Sequence, residues 1–330
     1  MRSPEFWAGR SPAARIAAAA LSPLGYLYGA MVAIKAARAS PYRSPAKVIC
    51  VGNLTTGGTG KTPVVRAIAE RLIGRGLRVF VLSRGYGGLL TGPVLVNPTE
   101  HSAADVGDEP IMLAATAPVI VARQRAEGAK LGESHQADVI LMDDGHQNFS
   151  LAKDISLVVI DSAEGLGNGR ALPAGPLREP VKQGLARADG VVLMGPHNFS
   201  LPRFSGPVLR ARLVPQNQGQ FAGQRVVAFA GIGQPEKFFA TLKTAGAQMI
   251  AAFPFADHHR YRENEIHALR DKARTANAIL VTTEKDYVRL SPPLRSEINF
   301  LTISAMFDDV PELTRLLDSV VPEPAIPAPS

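Results

Sequence analysis

The stretch with the clearest chemical signature is residues 47 to 65, KVICVGNLTTGGTGKTPVV, an apolar run followed by a glycine-rich turn. An apolar strand that leads into such a turn and then a helix is the context of a phosphate-binding P-loop. Glycine lets successive backbone N–H groups face phosphate oxygens, and the positive end of the following helix attracts them. We expect Lys61 to reach the β- and γ-phosphates and the Thr62 hydroxyl to bind Mg2+. The predicted nucleotide-binding residues are Thr55, Thr56, Gly57, Gly58, Thr59, Gly60, Lys61 and Thr62, and Thr55 stands where the usual GxxxxGK[ST] pattern has its first glycine.

A second signature is an acidic pair at the end of ADVILMDDGHQ, residues 137 to 147. Asp143 and Asp144 directly follow four apolar residues, so they lie at the end of a predicted strand. Two acids at a strand end also occur in ordinary turns. Downstream of a P-loop, however, this is the Walker B pattern, in which a carboxylate holds Mg2+ directly or through water. The predicted metal ligands are therefore Thr62, Asp143 and Asp144.

Three further loops carry candidate residues. Arg84 opens the loop RGYGG after the predicted strand 77 to 83, and loops at the carboxyl ends of strands carry the site in open α/β sheets. Asp108 and Glu109 precede an apolar helical stretch, where an acid can simply complement the start of a helix. Residues 166 to 180, LGNGRALPAGPLREP, form a long irregular segment that includes Arg178, and such segments are usually functional or disordered.

Composition narrows the class of protein. A chain of 330 residues predicts about two domains, and its 46% hydrophobic content suffices for a normal core. The single cysteine, Cys50, excludes a disulfide framework and a cysteine-based metal site, which fits a reducing, cytoplasmic compartment. The net charge is +7, and residues 1 to 50 contain seven basic residues and one acid, a balance of +6. Basicity therefore belongs to the N-terminal segment and not to the rest of the chain.

Residues 16 to 34, IAAAALSPLGYLYGAMVAI, form an uncharged run of 19 between basic flanks. This is close to the length of a membrane-spanning helix, but the run is rich in alanine and contains proline and glycine. It lacks the cleavage site of a signal peptide. We expect a helix that lies in, or dips into, an anionic membrane surface, with Trp7, Tyr26 and Tyr28 near the headgroups. The alternative is a helix packed on the protein's own body.

The order of predicted strands and helices indicates an α/β protein. We expect a P-loop NTPase-like, mainly parallel sheet with helices on both faces, a smaller C-terminal α/β domain and an N-terminal membrane-associated helix. The predicted bounds are 1–45 for the apolar and basic N-terminal segment, 46–200 for the P-loop domain, 201–224 for a connecting segment, 225–318 for the smaller domain and 319–330 for a proline-rich disordered tail.

Taken together, the motifs resemble one family. VGNLTTGGTGKTP, SRGYGG, GDEP, DDGHQ, LPAGPLREP, FADHHRY and TTEKD occur in this order between residues 51 and 286. This combination resembles tetraacyldisaccharide 4'-kinase, the lipid A 4'-kinase of Gram-negative bacteria. The resemblance implies transfer of phosphate from ATP, with Mg2+, to the 4'-hydroxyl of a tetraacylated glucosamine disaccharide 1-phosphate. It also implies a peripheral location, or a single N-terminal helix, at the cytoplasmic face of the inner membrane.

The resemblance also implies roles for individual residues. Asp108 of GDEP matches the proposed general base and His258 of FADHHRY the histidine that works with it; Asp143 and Asp144 match the metal-associated pair. Lys61 completes the expected catalytic set, and domain closure is expected to bring Asp108 and His258 together. His146 departs from the pattern, since an aromatic or apolar residue is expected after DDG, and this puts the local packing in question. Arg84 and Arg178 are candidate contacts for the acceptor.

Expected partners are the lipid disaccharide and an anionic inner-membrane surface, with no nucleic acid and no obligate protein partner. Three alternatives remain: a P-loop GTPase or partition-type ATPase switch, another small-molecule kinase, and a nucleic-acid-dependent NTPase. A GTPase should show N-K-x-D, but TEKD at 283 to 286 has Glu284 in place of the lysine. The pI of 9.7 suggests nucleic acid, but a near-neutral body provides no basic groove.

Overall fold

The computed structural model describes residues 4–9, 11–202 and 204–321. The strands are β1 (Lys47–Gly52), β2 (Val79–Ser83), β3 (Val94–Leu95), β4 (Val119–Val121), β5 (Val139–Asp143), β6 (Ile155–Asp161), β7 (Gly190–Met194), β8 (Val208–Pro215), β9 (Arg225–Ala230), β10 (Gln248–Pro254), β11 (Ile279–Thr283), β12 (Ile298–Leu301) and β13 (Ile303–Phe307). The helices are α1 (Pro12–Ala37), α2 (Lys61–Ile73), α3 (Ala103–Val106), α4 (Asp108–Leu113), α5 (Arg125–Ser134), α6 (Val181–Leu185), α7 (Pro235–Thr244), α8 (Glu263–Thr275), α9 (Glu284–Arg289) and α10 (Val310–Asp318). Short 3-10 helices cover Glu5–Ala8, Gln218–Gln220 and Pro292–Leu294.

The larger sheet has the strand order β13-β8-β7-β6-β1-β5-β2-β4-β3. Its strands from β8 to β4 run parallel, and β13 and β3 pair antiparallel at the two edges. Successive side chains of β1 enter different cores, Ile49 and Val51 on one face and Val48 and Cys50 on the other. A strand buried on both faces reads as a continuous apolar run, which explains VICV in the sequence. The predicted mainly parallel sheet with helices on both faces is confirmed.

The smaller sheet has the order β10-β9-β11-β12 and is parallel throughout. Phe238, Phe239 and Leu242 of α7 pack in one core, and Ile266 and Leu269 of α8 pack in the other. Each helix therefore covers one face, as expected for a small α/β unit.

The domain bounds differ from the sequence-based prediction in two places. The segment 201–224, predicted as a connection, contains β8, which is a strand of the larger sheet. Residues 303–318 were expected in the smaller domain, but β13 pairs with β8, and Leu313 and Leu317 of α10 are buried in the larger core. The chain thus returns to the larger domain through an edge pairing that local sequence does not specify. In the tail predicted at 319–330, Val321 is buried in that core, and residues 322–330 lie outside the described residues.

Helix α9 follows a strand of the smaller sheet and contacts helices α2 and α4 of the larger domain. Strand β11 stops at Thr283, whose hydroxyl caps α9 by accepting from the Asp286 backbone N–H at 3.0 Å. From the first turn of α9, Glu284 accepts two hydrogen bonds from Arg66 of α2, at 2.8 and 2.6 Å. Since both side chains are nearly buried, this pair holds α9 against the helix that follows the P-loop.

Helix α1 contacts the body through its small residues. Gly25 and Gly29 are buried, and a Cβ at these positions would meet the Ala171 carbonyl oxygen at 2.9 Å and the Pro180 ring at 3.0 Å. Its large apolar residues face outward, with Ile16 71% and Tyr26 78% exposed. The helix is long and apolar enough to cross a membrane. One face of α1 packs on the body, as in the alternative of a packed helix. The other face is apolar and uncovered, as expected for a helix at a membrane surface.

Candidate active site

The glycine-rich turn connects β1 to α2 at the carboxyl edge of the larger sheet. Gly60 adopts a left-handed backbone, with φ of 85°, and α2 begins at Lys61. At Gly57 and Gly58 no atom lies within 4 Å of the point that a Cβ would occupy. Within the turn, the Asn53 side-chain amide donates to the Thr59 hydroxyl at 3.2 Å. The turn therefore holds an open concave backbone at the start of a helix, which is a suitable binding site for phosphate.

The segment LPAGPLREP forms the neighbouring wall. The Thr56 N–H donates to the Pro176 carbonyl and the Arg178 N–H donates to the Leu54 carbonyl, both at 2.8 Å. Thr55 forms an isolated bridge with Leu177. The backbone at Thr55 does not require the glycine of the usual pattern, because Thr55 does not adopt a positive φ.

Two predicted site residues, Lys61 and Arg178, meet at the carboxylate of a third, Asp144. Oδ1 of Asp144 lies 3.8 Å from Nζ of Lys61 and accepts a hydrogen bond of 2.7 Å from Arg178. Burial alone would raise the pKa of Asp144, but Lys61 and Arg178 hold it below its ordinary value. Burial also lowers the pKa of Lys61, against the opposing effect of Asp144. One cluster of basic and acidic side chains thus joins the P-loop, the acid pair at the strand end and the loop 166–180.

Asp143 is buried beside this cluster. Its Oδ1 has no hydrogen-bond partner among the residues that the structure describes. Burial raises its pKa to about 7, and the negative charge of Glu109 adds to the effect. Arg125, also buried, follows the end of β4, and burial lowers its pKa to about 10 although Asp143 opposes this. An unpartnered buried carboxylate oxygen at this edge is what a cation site requires. The sequence reasoning missed Arg125, although its place after a strand could have drawn attention to it.

A second cluster spans the two domains. Nδ1 of His258 lies 3.3 Å from Oδ2 of Asp108, and Arg289 of α9 donates to the same oxygen through Nε at 2.8 Å. Burial would raise the pKa of Asp108, but contacts with His258 and Arg289 keep it below the ordinary value. His258 has a positive φ of 58°, a strained backbone of the kind found at functional sites. Arg289 was not predicted, because its role depends on contacts between domains.

Neighbouring residues connect the two clusters. Glu109, next to Asp108, binds Lys285 of α9 at 3.1 Å. Burial has the largest effect on the pKa values of Lys61 and Asp143, and the negative charge of Glu109 also affects both. Helix α4 therefore faces both the phosphate loop and α9. Arg84 is exposed after β2, and the ring of Tyr86, two residues on, packs edge-on near His258 with centroids 6.3 Å apart. The contact between Asp108 and His258 is already present in this structure, so closure is not needed to explain it.

His146 is accommodated by a polar environment and not by the apolar one expected for this position. The side chain is buried; Nε2 donates to the Gly184 carbonyl at 2.9 Å, and Nδ1 accepts from the Ser156 hydroxyl at 2.8 Å. Burial lowers its pKa to about 4, so the ring is neutral near pH 7. The next residue, Gln147, bridges the Asn53 carbonyl and Glu179, each at 2.9 Å. The departure from the motif therefore leaves the packing beside the acid pair intact.

Comparisons with known proteins cover nearly the whole chain. The family model LpxK, described as tetraacyldisaccharide-1-P 4'-kinase, matches residues 17–322. The tetraacyldisaccharide 4'-kinase of Rhodospirillum rubrum is 47% identical over 329 residues, which cover 97% of this chain and 98% of the relative. That of Dinoroseobacter shibae is 48% identical over 332 residues, 98% of each chain. The structure of LpxK from Aquifex aeolicus, an "apo" form in complex with ATP, matches with a TM-score of 0.75 and 26% identity over 92% of this chain and 99% of that one.

Proposed function

Because this chain belongs to the tetraacyldisaccharide 4'-kinase family, we propose how its two clusters divide the work of phosphoryl transfer. The protein is an ATP-dependent kinase of lipid A biosynthesis that phosphorylates the 4'-hydroxyl of a tetraacylated glucosamine disaccharide 1-phosphate. This function rests on the family match, which extends over both domains. The matched residues include the P-loop, Asp108 and His258.

The P-loop cluster binds and activates ATP. The open backbone at Gly57 and Gly58 accommodates the phosphates, and the positive end of α2 stabilises them. Lys61 neutralises charge on the β- and γ-phosphates. Its salt bridge with Asp144 holds the ammonium group close to the loop. The guanidinium of Arg178 donates to Asp144, and its backbone N–H donates to the Leu54 carbonyl, so the residue faces this phosphate site. This position favours binding of phosphate by Arg178 over binding of the acceptor.

The residues also fit a magnesium ion. Asp143 has an unpartnered buried oxygen, Asp144 shares its strand end, and Thr62 opens the helix after the P-loop. No group of three or more His, Cys, Asp or Glu side chains suited to a metal occurs in the described part of the chain. Mg2+ typically takes only one or two carboxylates and completes its shell with substrate phosphates and water. When bound, Mg2+ would neutralise developing charge on the phosphates.

The second cluster acts on the acceptor. Asp108 accepts the proton of the 4'-hydroxyl as the hydroxyl oxygen forms its bond to the γ-phosphorus. The bond from that phosphorus to the β–γ bridging oxygen breaks, and ADP leaves with the electron pair. A pKa below the ordinary value keeps Asp108 ionised at neutral pH, the form that can accept a proton. Arg84, exposed two residues before Tyr86 at the same cleft, is a candidate for binding the acceptor.

Helix α1 brings the enzyme to its lipid substrate. Its outward face carries Ile16, Leu24, Tyr26, Leu27 and Met31, each more than half exposed. Full burial of an exposed leucine, isoleucine or methionine side chain is favourable by about 1.5–3 kcal/mol, and these partly exposed side chains gain a fraction of that at a bilayer surface. The basic N-terminal segment adds attraction to anionic lipids. We infer a peripheral position on the cytoplasmic face of the inner membrane, where ATP is available and the acceptor lies in the bilayer.

The decisive test is a transfer assay with purified full-length protein. Radiolabelled phosphate should move from [γ-32P]ATP to the tetraacylated disaccharide 1-phosphate presented in mixed micelles, and only when Mg2+ is present. Parallel reactions with DNA, RNA or no acceptor should leave ATP largely intact. ATP hydrolysis that depends on nucleic acid, without label in the lipid, would contradict the assignment.

A further inference from the structure

We propose that Arg289 is a positioning residue that couples Asp108 to His258, and that Asp108 therefore receives the acceptor's proton on Oδ1. The proposal rests on the kinase function and on the role of Asp108 as base. It concerns an arginine in a different domain from Asp108, 181 positions along the chain.

The guanidinium of Arg289 is held by several partners. Arg289 donates from Nε to Asp108 Oδ2 at 2.8 Å, and from one terminal nitrogen to the Gly231 carbonyl at 2.8 Å and to Asp286 at 2.9 Å. Its other terminal nitrogen lies 2.7 Å from Asp108 Oδ2 and 3.2 Å from Nδ1 of His258. The side chain is only 7% exposed. A planar, always charged group with this many fixed partners has one orientation.

The hydrogen-bonding roles of the His258 ring depend on its tautomer. Nδ1 of His258 lies 3.2 Å from an Arg289 N–H, which can only donate, and we assign Nδ1 as its acceptor; in the other tautomer Nδ1 would donate to Asp108 Oδ2 at 3.3 Å. Neutral His258 then carries its proton on Nε2, whose nearest carboxylate is Asp257 at 3.9 Å. In the assigned tautomer the 3.3 Å approach of His258 Nδ1 to Asp108 Oδ2 brings two acceptors together, and Arg289 is the cation that makes their proximity favourable. His258 and Asp108 thus interact through Arg289.

Asp108 contacts Arg289 and His258 through only one of its two carboxylate oxygens. These contacts are all made to Oδ2, and no hydrogen bond from another described residue reaches Oδ1. The Asp108 side chain is 14% exposed, so part of the carboxylate remains accessible. The other charged groups that face it are Lys285 and Glu109, which pair with each other at 3.1 Å. A carboxylate fixed by one oxygen can present the other to an incoming hydroxyl without reorientation.

The test compares Arg289→Met and Arg289→Lys with the wild-type full-length enzyme. Arg295→Met is the matched control, since Arg295 braces the end of the same helix through the Val288 and Leu290 carbonyls and does not contact Asp108. We expect Arg289→Met to lower kcat by about 10- to 100-fold, the range found when a hydrogen-bonded partner that orients a metal ligand is removed, with the KM for ATP unchanged. The acid limb of the kcat profile should move to higher pH, because Asp108 loses the nearest cation that depresses its pKa.

Two further readouts separate positioning from stability. Arg289→Met also removes a partner of the buried Asp286, so its Tm should fall, whereas Arg289→Lys retains the charge and should keep the Tm while recovering only part of kcat. Imidazole 15N NMR, with His258 assigned by comparison with His258→Gln, should show Nδ1 unprotonated in the wild type and an altered tautomer population in Arg289→Met.

Three results would overturn the proposal: an unchanged kcat and pH profile in both Arg289 variants, a loss in Arg295→Met as large as in Arg289→Met, or a protonated Nδ1 in neutral wild-type His258. Failure of the kinase function would instead appear as absence of transfer by the wild type itself.

Discussion

Asp144 Oδ1 lies 3.8 Å from Lys61 Nζ, although the two residues belong to motifs more than 80 positions apart. The contact is made because β1 and β5 are adjacent parallel strands, with Val51 in register with Asp143, so their carboxyl ends lie side by side. A lysine and an acid that already interact across this edge are arranged to receive the phosphates and their cation together.

We expect Lys61→Ala to reduce kcat by about 100-fold or more, because the site loses a preorganised positive charge near the transferred phosphoryl group. Turnover and nucleotide affinity should be measured with both ATP and the lipid acceptor. Lys47→Ala is the control, since Lys47 is an exposed lysine at the opposite end of β1. Near-normal turnover in Lys61→Ala would remove the P-loop assignment.

Asp108→Ala and His258→Ala should each lower turnover by about 100-fold, within the usual contribution of acid–base groups. The double variant should fall well short of the product of the two losses, because residues that act as a unit are not additive. The Tm should change little, since Arg289 retains Asp286 as an ionic partner. His259→Ala, which alters the adjacent histidine and its contact with Glu265, provides the comparison. Strictly multiplicative losses would mean that the two residues act independently.

For membrane binding, the double variant Leu24→Glu with Leu27→Glu should weaken sedimentation with anionic vesicles by at least about tenfold, since each leucine contributes roughly 1.5–3 kcal/mol when buried. Its Tm should be unchanged, because both side chains are more than half exposed. Leu89→Glu is the control, with a leucine that is 77% exposed elsewhere on the body. Equal sedimentation of the variant and the wild type would argue against α1 as the membrane-binding element.

Deleting residues 1 to 40 is a more drastic version of the same test. We predict weaker vesicle binding with a folded ATP site. The deletion also removes Ser22, which bonds Arg170, and exposes the surface against which Gly25 and Gly29 pack. Point variants on the outward face are therefore the cleaner measurement.

His146 predicts a pH dependence of stability. Its pKa is about 4 in the folded protein, against an ordinary 6.5, because burial disfavours the charged ring. Between these values the unfolded chain binds more protons than the folded one, so stability should rise with pH across this window and fall as the pH drops from 6.5 toward 4. The Tm of His146→Gln should depend less on pH in this range. His267→Gln, which changes an exposed histidine of α8, should behave like the wild type; identical pH dependence in all three proteins would contradict the prediction.

The sequence by itself determined the local chemistry of the site. A glycine-rich turn after an apolar strand, an acid pair at a strand end and basic loops at other strand ends are patterns of neighbouring residues. Their structure follows from backbone conformation and from side-chain periodicity. The resemblance supplied the family, and with it the candidate roles of Asp108 and His258. The spacing of these two residues in the sequence could not establish that they are in contact.

Tertiary structure decided which distant residues meet. β13 reaches the edge of the larger sheet beside β8, and α9 inserts Arg289 between Asp108 and His258. Such contacts depend on the packing of whole elements, and no local pattern encodes them, since an isolated arginine at the end of a short helix looks the same whether it faces solvent or a carboxylate of another domain. The same reason explains why α1 has one face on the body and one face exposed: its glycines pack only where residues 171 to 180 happen to lie.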